Sequence, residues 1–302
     1  LKKGRLIVIV GPTAVGKTEF AIRLAEHFQT EIISADSRQI YKEMTIGTAK
    51  PTESQLARVQ HHFIDSHTME DEYDAGQFGR DALAMISRLL DVREQVVLCG
   101  GSGLYIRAVC EGFDELPEVP QGVRDRIVTT YYDKGIEWLQ QRVRLLDPEF
   151  FDEVDQKNPQ RLMRALELLE ASGKKMHELR KKKVLSHPFE ICKIGLSLDR
   201  EVLYQRIDQR MDQMMEEGLF EEAQLLYPRR HLNALQTVGY TEIFDFLDGK
   251  YDREEAVRLL KRNSRRYAKR QLTWFGREKD IEWFDARDPD LLLKKVLLFL
   301  EK

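Results

Sequence analysis

Residues 11–18 read Gly11, Pro12, Thr13, Ala14, Val15, Gly16, Lys17 and Thr18, a complete G-x-x-x-x-G-K-[ST] loop. The glycines let the backbone curl so that successive N–H groups point inward. Lys17 reaches toward terminal phosphates, and Thr18 offers a hydroxyl to a magnesium ion. A diphosphate or triphosphate belongs there, as donor of a phosphoryl group or as leaving group. Two further residues carry the right chemistry. Asp36, in the segment Ser34 to Tyr41, is a candidate base or metal ligand, and equally a turn or helix cap, positions that Asp favours. Ser102, in Gly100-Gly101-Ser102-Gly103, offers a hydroxyl where glycines permit close approach of a ligand to the backbone.

Strands must hold these residues together. The apolar run Leu6 to Val10 precedes the loop, and Phe20, Ala21, Leu24, Ala25 and Phe28 follow it at helical spacing. Glu31 to Ser34 and Gln95 to Cys99 read as further strands, with a helix over Ala82 to Leu90. Such alternation predicts an α/β fold, a P-loop NTPase-like parallel sheet flanked by helices. In a parallel sheet the loops after the strands gather on one rim, so the phosphate loop, Asp36 and Ser102 should converge.

A phosphoryl-transferring ATPase usually ends a later apolar strand in an acidic residue that helps hold magnesium. Here Gln95 to Cys99 runs into Gly100 and Gly101 instead. The loop is therefore expected to bind a diphosphate leaving group, with Asp36 directed at a different substrate. Alternatives left open are a small-molecule kinase, an enzyme acting on free adenylates, and a nucleic-acid-binding protein that uses a nucleotide as a switch.

From residue 114 the character changes. Helical periodicity runs through Arg124 to Tyr132, Ile136 to Leu145 and Arg161 to Glu170, after a linker at Phe113 to Leu116. Phe189 to Leu198 reads as a returning strand, followed by long helices to the end. The expected organisation is a core over 1–113 and 189–302 with an all-helical insertion domain over 114–188.

The 302 residues carry 33% charged and 42% hydrophobic side chains, a globular composition without the apolar deficit of disorder. No apolar run approaches the ~18 residues of a membrane span, and the expectation is a cytoplasmic protein, monomeric by default. Cys99, Cys110 and Cys192 form no C-x-x-C pair and read as packing residues. The net charge of −3 hides a local excess: between Arg258 and Lys279 nine basic residues face the single acid Glu278. Positions 258, 262, 265 and 269 fall on one helix face, a candidate polyanion stripe. A second basic run covers Arg180 to Lys183. His61 and His62, adjacent and without a third ligand nearby, are expected to pack and hydrogen-bond rather than bind metal.

With these residues assembled, the chain closely resembles the bacterial tRNA dimethylallyltransferases over nearly its full length. The resemblance is carried by GPTAVGKT, by ISADSRQIYKEMTIGTAKP from Ile33, HHFID from His61, GGSGLY from Gly100, NPQRLMRALE from Asn158, VGYTEI from Val238 and RRYAKRQLTWF from Arg265. It implies transfer of a dimethylallyl group from dimethylallyl diphosphate, with Mg2+, to the exocyclic amine of the adenosine immediately 3′ of the anticodon. Asp36 would be the base and Ser102 would hold the amine. Lys17, Thr18 and the loop amides would neutralise the departing diphosphate, and Arg210 resembles the family's pyrophosphate-binding arginine. The family's tRNA contacts carry over to Asp36, Ser37, Arg38, Gln39, Ser102, Arg124, Gln160, Arg161, Leu162, Met163 and Arg164. The insertion would clamp the anticodon stem-loop, and the helix near Arg265 would follow phosphates. Two positions depart from the family: Ser102 stands where threonine is common, preserving the hydroxyl, and Asn158 where aspartate is usual.

Overall fold

The computed structural model describes residues 4–114, 116–180 and 185–301. The chain divides into two compact units, Gly112–Leu185 and the chain on either side of it.

In the larger unit, β1 (Arg5–Val10) leads into α1 (Lys17–Phe28), then β2 (Ile32–Ser34), α2 (Glu53–Arg58), β3 (His61–His62), α3 (Ala75–Leu90), β4 (Gln95–Cys99) and α4 (Gly103–Cys110). The smaller unit holds α5 (Gln121–Leu146), α6 (Pro148–Glu153), α7 (Pro159–Ser172) and α8 (Met176–Leu179). The chain returns to the larger unit as β5 (Glu190–Ser197), α9 (Arg200–Glu216), α10 (Leu219–Leu226), α11 (Thr241–Leu247), α12 (Arg253–Phe275), β6 (Ile281–Asp285) and α13 (Pro289–Leu300).

The six strands form one parallel sheet in the order β3-β2-β4-β1-β5-β6. β1 sits between β4 and β5, with Ile7 opposite Val97 on one side and Cys192 on the other. A central parallel strand is covered on both faces, which its unbroken apolar run reflects. Ile7 and Ile9 pack with α1, α9 and α13, while Leu6, Val8 and Val10 face α3 and α4. A third apolar cluster joins α9–α12 to the segment around Ile40, Tyr41 and Met44. α12 contributes to all three clusters, through Ala268, Phe275 and Leu260 respectively.

The helical unit has its own core, built on Ile127, Leu139, Phe151, Leu162 and Leu166. α5 is interrupted at Gly135, whose φ of 75° and ψ of −174° separate the two helical stretches expected from the sequence. The Asn158 side chain caps α7, accepting the Arg161 amide at 3.2 Å, so the amide in place of the usual aspartate serves the cap.

Three elements differ from expectation. α3 starts at Ala75 rather than Ala82, capped by Asp74, whose side chain accepts the Gln77 amide at 2.8 Å. Gly76 and Gly79 weaken the helical pattern in that first stretch; Gly79 is required because a Cβ would meet that of Ala108 on α4 at 2.9 Å. β6, read from the sequence as part of a helical tail, is an edge strand whose polar Glu282 and Asp285 dilute its alternation. β3 has two residues, too few for any periodicity. The expected linker contains Glu115, and the second basic run contains Lys181, Lys182 and Lys183; these four lie outside the described residues. Among the described residues no helix is long and apolar enough to cross a membrane.

Candidate active site

The loop after β1 uses its two glycines for different reasons. Gly11 has φ 149° and a Cβ there would lie 2.6 Å from the Leu196 carbonyl oxygen of β5. Gly16 has open space around it but φ 105°, a left-handed conformation that L side chains rarely adopt. Ala14 holds φ 63° without that excuse, a local strain of the kind that concentrates at functional sites. Lys17 at the start of α1 folds back over the loop, its Nζ donating to the carbonyls of Gly11 at 3.0 Å and Pro12 at 2.8 Å. Burial lowers its pKa to about 8; Cys99 and Asp36 oppose that shift and the nearby Arg210 reinforces it.

Arg210 reaches the loop from α9. Its Nη1 donates to the Thr13 hydroxyl at 3.3 Å, and burial lowers its pKa. The helical arginine thus addresses the phosphate loop through a hydroxyl. Burial also pushes the Cys99 thiol up to about 12, consistent with packing; Cys99, Cys110 and Cys192 are free thiols.

Asp36 is both a cap and a cavity wall. Its Oδ1 accepts the amides of Arg38 at 2.9 Å and Gln39 at 3.3 Å, which fixes the turn after β2. The carboxylate also lines the same cavity as Lys17, Thr18 and Arg210. Ser102, at the start of α4, sits beside this turn: its Oγ accepts the Ser37 amide at 2.9 Å and donates to the Ser37 hydroxyl at 3.2 Å. The rim loops converge as expected: Lys17, Asp36 and Arg210 line one cavity, and Ser102 lines a neighbouring one while bonded to Ser37, the residue after Asp36.

The glycines around Ser102 serve neighbours within the protein. A Cβ on Gly100 would lie 2.1 Å from the Ala35 carbonyl oxygen, one on Gly101 2.2 Å from Gln271 Nε2, and one on Gly103 2.2 Å from Trp274 Nε1. These glycines serve both sides: Gly100 and Gly101 line the cavity beneath the phosphate loop and Gly101 and Gly103 the one outside Ser102, while on their other side the chain just after β2 and two residues one turn apart on α12 leave no room for a Cβ.

Sequence reasoning missed Tyr267, Gln271 and Glu222 here, and gave Gln39 a different partner. Tyr267 on α12 borders three adjoining cavities: one beneath the phosphate loop, one between Thr13 and the apolar side chains of Ile207, Met211 and Met214, and one outside Ser102. The last encloses about 390 Å³ among Tyr41, Tyr73, Tyr105 and Trp274, within the ~300–1,000 Å³ of small-molecule sites. Burial, then the charge on Asp36, pushes the Tyr267 phenol up to about 12. Gln271 links Thr13 to Gly101. Gln39 Nε2 donates to the carbonyls of Thr48 at 3.2 Å and Ala49 at 3.1 Å, while Glu222 on α10 accepts the amides of Thr45, Ile46 and Gly47 at 2.8–3.1 Å. Together they hold the 45–49 segment as a roof over the first two cavities. Gln39 belongs to the block that begins at Ile33, but only the fold shows that its amide faces its own chain.

His61 and His62 pair as β3 with β2. His61 Nδ1 lies 2.8 Å from the Val59 carbonyl oxygen, and His62 Nε2 lies 2.7 Å from Glu31. Among the described residues no group of three or more His, Cys, Asp or Glu is arranged to hold a metal.

On α12 the expected stripe is only partly exposed: Arg258 and Lys269 face solvent, but Arg265 is turned onto Asp208 of α9; Lys261 pairs with Asp212, while Arg266 and Arg270 on the helix and Arg277 just beyond it also face solvent. In the helical unit Leu162 is fully buried and Met163 7% exposed, so their side chains are core and not a nucleic-acid surface. Gln160 and Arg161 are exposed, and Arg124 and Arg164 both approach the buried Glu167.

The model of the IPP transferase family matches residues 39–278. The chain is 49% identical to tRNA dimethylallyltransferase 1 of Phocaeicola vulgatus, covering 92% of this chain and 93% of that protein. It is 47% identical to tRNA dimethylallyltransferase of Cytophaga hutchinsonii, covering 98% and 96%. Its fold matches the crystal structure of the tRNA isopentenylpyrophosphate transferase of Bacillus halodurans with a TM-score of 0.74 and 38% identity, over 99% of this chain and 96% of that one. It also matches a eukaryotic dimethylallyltransferase acting on tRNA with a TM-score of 0.78, over 98% of this chain and 78% of that one; at 24% identity this likeness concerns the fold. A β1 loop built for phosphate, an acidic turn and a hydroxyl across from it, and a match spanning both units agree: the chain belongs to the IPP transferase family.

Proposed function

We infer that this protein is a tRNA dimethylallyltransferase, moving the dimethylallyl group of dimethylallyl diphosphate to the exocyclic amine of the adenosine immediately 3′ of the anticodon and releasing diphosphate. One juxtaposition carries the inference: the cations Lys17 and Arg210 address the phosphate loop, and the carboxylate in the same cavity comes from the turn after β2, beside Ser102.

In the reaction the adenine N6 attacks the allylic C1 carbon. The C–N bond forms as the C1–O bond to diphosphate breaks, and the proton on N6 passes to Asp36. An aromatic amine is a weak nucleophile, so a carboxylate within reach of its proton accelerates attack. Ser102 holds the amine side of the site. Lys17, Arg210 and the loop amides stabilise charge growing on the leaving oxygen. The five-carbon group suits the cavity wall formed by Ile207, Met211 and Met214.

Magnesium suits this donor set. Thr18 presents a hydroxyl to the cavity, and Mg2+ is commonly held by one or two protein oxygens together with substrate phosphates rather than by an all-protein cage. Thr18 would hold it with the diphosphate; when bound it supplies neutralisation of the leaving group.

An adenine stacked in the anticodon loop must be extruded to react, at a cost of a few kcal/mol (about 2–4) that protein contacts offset. The aromatic cleft outside Ser102 is suited to a base leaving its stack. The turn residues Ser37 and Arg38 border the base, with Gln39 behind them bracing the 45–49 segment, and the exposed Gln160 and Arg161 of the helical unit, with the half-exposed Arg124 and Arg164, meet the tRNA. Such an enzyme works on the cytoplasmic tRNA pool.

The test is to incubate the protein with magnesium and labelled dimethylallyl diphosphate, in parallel with tRNA, AMP or ATP. Label is expected on tRNA alone. Transfer to AMP instead would make the enzyme an adenylate prenyltransferase, and ATP turnover without tRNA would make it a kinase.

A further inference from the structure

Within the block RRYAKRQLTWF, Gln271 takes no part in the chemistry above, yet it is 6% exposed and lies between the two reactive loops. Its Oε1 accepts the Thr13 amide at 2.8 Å and its Nε2 donates to the Gly101 carbonyl at 2.9 Å. The orientation of the side-chain amide follows from its partners, because a backbone N–H can only donate and a carbonyl only accept. No other residue type of this length offers both functions without charge.

We propose that Gln271 is a positioning residue that sets the separation between the diphosphate half of the site and its acceptor half. Thr13 belongs to the phosphate loop and receives Arg210 on its hydroxyl; Gly101 immediately precedes Ser102. The side-chain amide of Gln271 is thus a strut of fixed length from donor to acceptor. Its close approach is also why residue 101 is glycine, since a Cβ would meet Nε2 at 2.2 Å. The anchor is stiff, because α12 is embedded in all three apolar clusters of this unit. In a displacement reaction a misplacement of about 1 Å costs on the order of 100-fold in rate.

The proposal rests on the roles given above to Lys17 and Ser102, and its test separates the two. In Gln271→Met the length is kept and both hydrogen bonds are removed. We expect kcat to fall about 10- to 100-fold with the KM for tRNA near wild type, and the melting temperature to fall by only a few degrees as two backbone groups lose their partner. Combined with Ser102→Ala, the losses should be less than multiplicative, because both act on one loop. Gln271→Glu supplies a second readout. Its ionised form cannot donate to Gly101, whereas its protonated form can, so its kcat should recover toward wild type as the pH falls, unlike that of Gln271→Met. Unchanged kcat in Gln271→Met beside a slow Ser102→Ala overturns the strut, as do fully multiplicative losses or a Gln271→Glu enzyme with no acid recovery. A Ser102→Ala enzyme as fast as wild type overturns the underlying site assignment instead.

Discussion

The Ser102 hydroxyl accepts the backbone amide of Ser37 at 2.9 Å and returns its own proton to the Ser37 hydroxyl at 3.2 Å. The loops after β2 and β4 are therefore joined at the residue next to Asp36. Removing the hydroxyl leaves the half-buried Ser37 amide without that acceptor, a loss of about 1 kcal/mol. Ser102→Ala should lower single-turnover transfer roughly 2- to 10-fold, and Ser102→Thr should stay near wild type. A threonine variant as slow as the alanine one would show that shape, not the hydroxyl, matters there.

Asp36 has two duties, and substitutions can separate them. Asp36→Asn keeps an oxygen for the Arg38 and Gln39 amides but has no basicity, so it should fold normally, bind tRNA normally and react about 10²- to 10⁴-fold more slowly. Single-turnover rates and tRNA binding measured on the same preparation decide this. Turnover at the wild-type rate would exclude Asp36 as the base.

The lowered pKa of Lys17 gives a pH prediction with a definite sign. The side chain is cationic below about 8 and neutral above it, and only the cation neutralises phosphate. The kcat/KM for dimethylallyl diphosphate, which reports the free enzyme, should therefore decline as pH rises through 8. A bound diphosphate favours the charged form, so the alkaline limb of kcat should lie at higher pH. Lys17→Met should abolish that limb along with about 10²- to 10³-fold of the rate. Superimposable alkaline limbs in wild type and Lys17→Met would remove Lys17 from the chemistry.

Two neighbouring arginines on α12 should behave oppositely. Arg266 faces solvent, whereas Arg265 holds Asp208. Changing Arg266, Lys269 and Arg270 to Gln should flatten the salt dependence of tRNA binding, by a slope of about 1 for each phosphate no longer neutralised. Arg265→Gln should leave the slope alone and cost up to about 1 kcal/mol of stability, seen in denaturant unfolding. A slope unchanged by the triple variant would free this helix from any role in phosphate binding.

Much of the site was legible in the linear sequence because its parts are local. A phosphate loop is one stretch of backbone whose glycines, lysine and threonine act together, and its flanking strand and helix are visible as period and run length. The same holds for the buried strands β1 and β4 and for the turn containing Asp36. Leu162 and Met163 show the limit: a motif block marks a region, but helical period assigned them to the core of α7 while Gln160 and Arg161 stayed outside. Edge strands such as β6 escaped because polar residues are tolerated on a half-covered strand.

Sequence by itself determined which groups are available: a phosphate-loop motif, one carboxylate and one hydroxyl, each at the end of an apolar run. Tertiary structure decided what holds them. Gln271 lies 258 positions from Thr13 and 170 from Gly101, and Glu222 lies 175 from Gly47; nothing in local spacing ties such residues together. Their pairing depends on α12 and α10 packing across the rim of a sheet whose strand order differs from chain order, a result of long-range burial that no short window contains. The same packing placed Ala35, Gln271 and Trp274 against the glycines around Ser102 and turned Arg265 from the surface to Asp208, because side-chain direction is fixed only once neighbouring elements are in place.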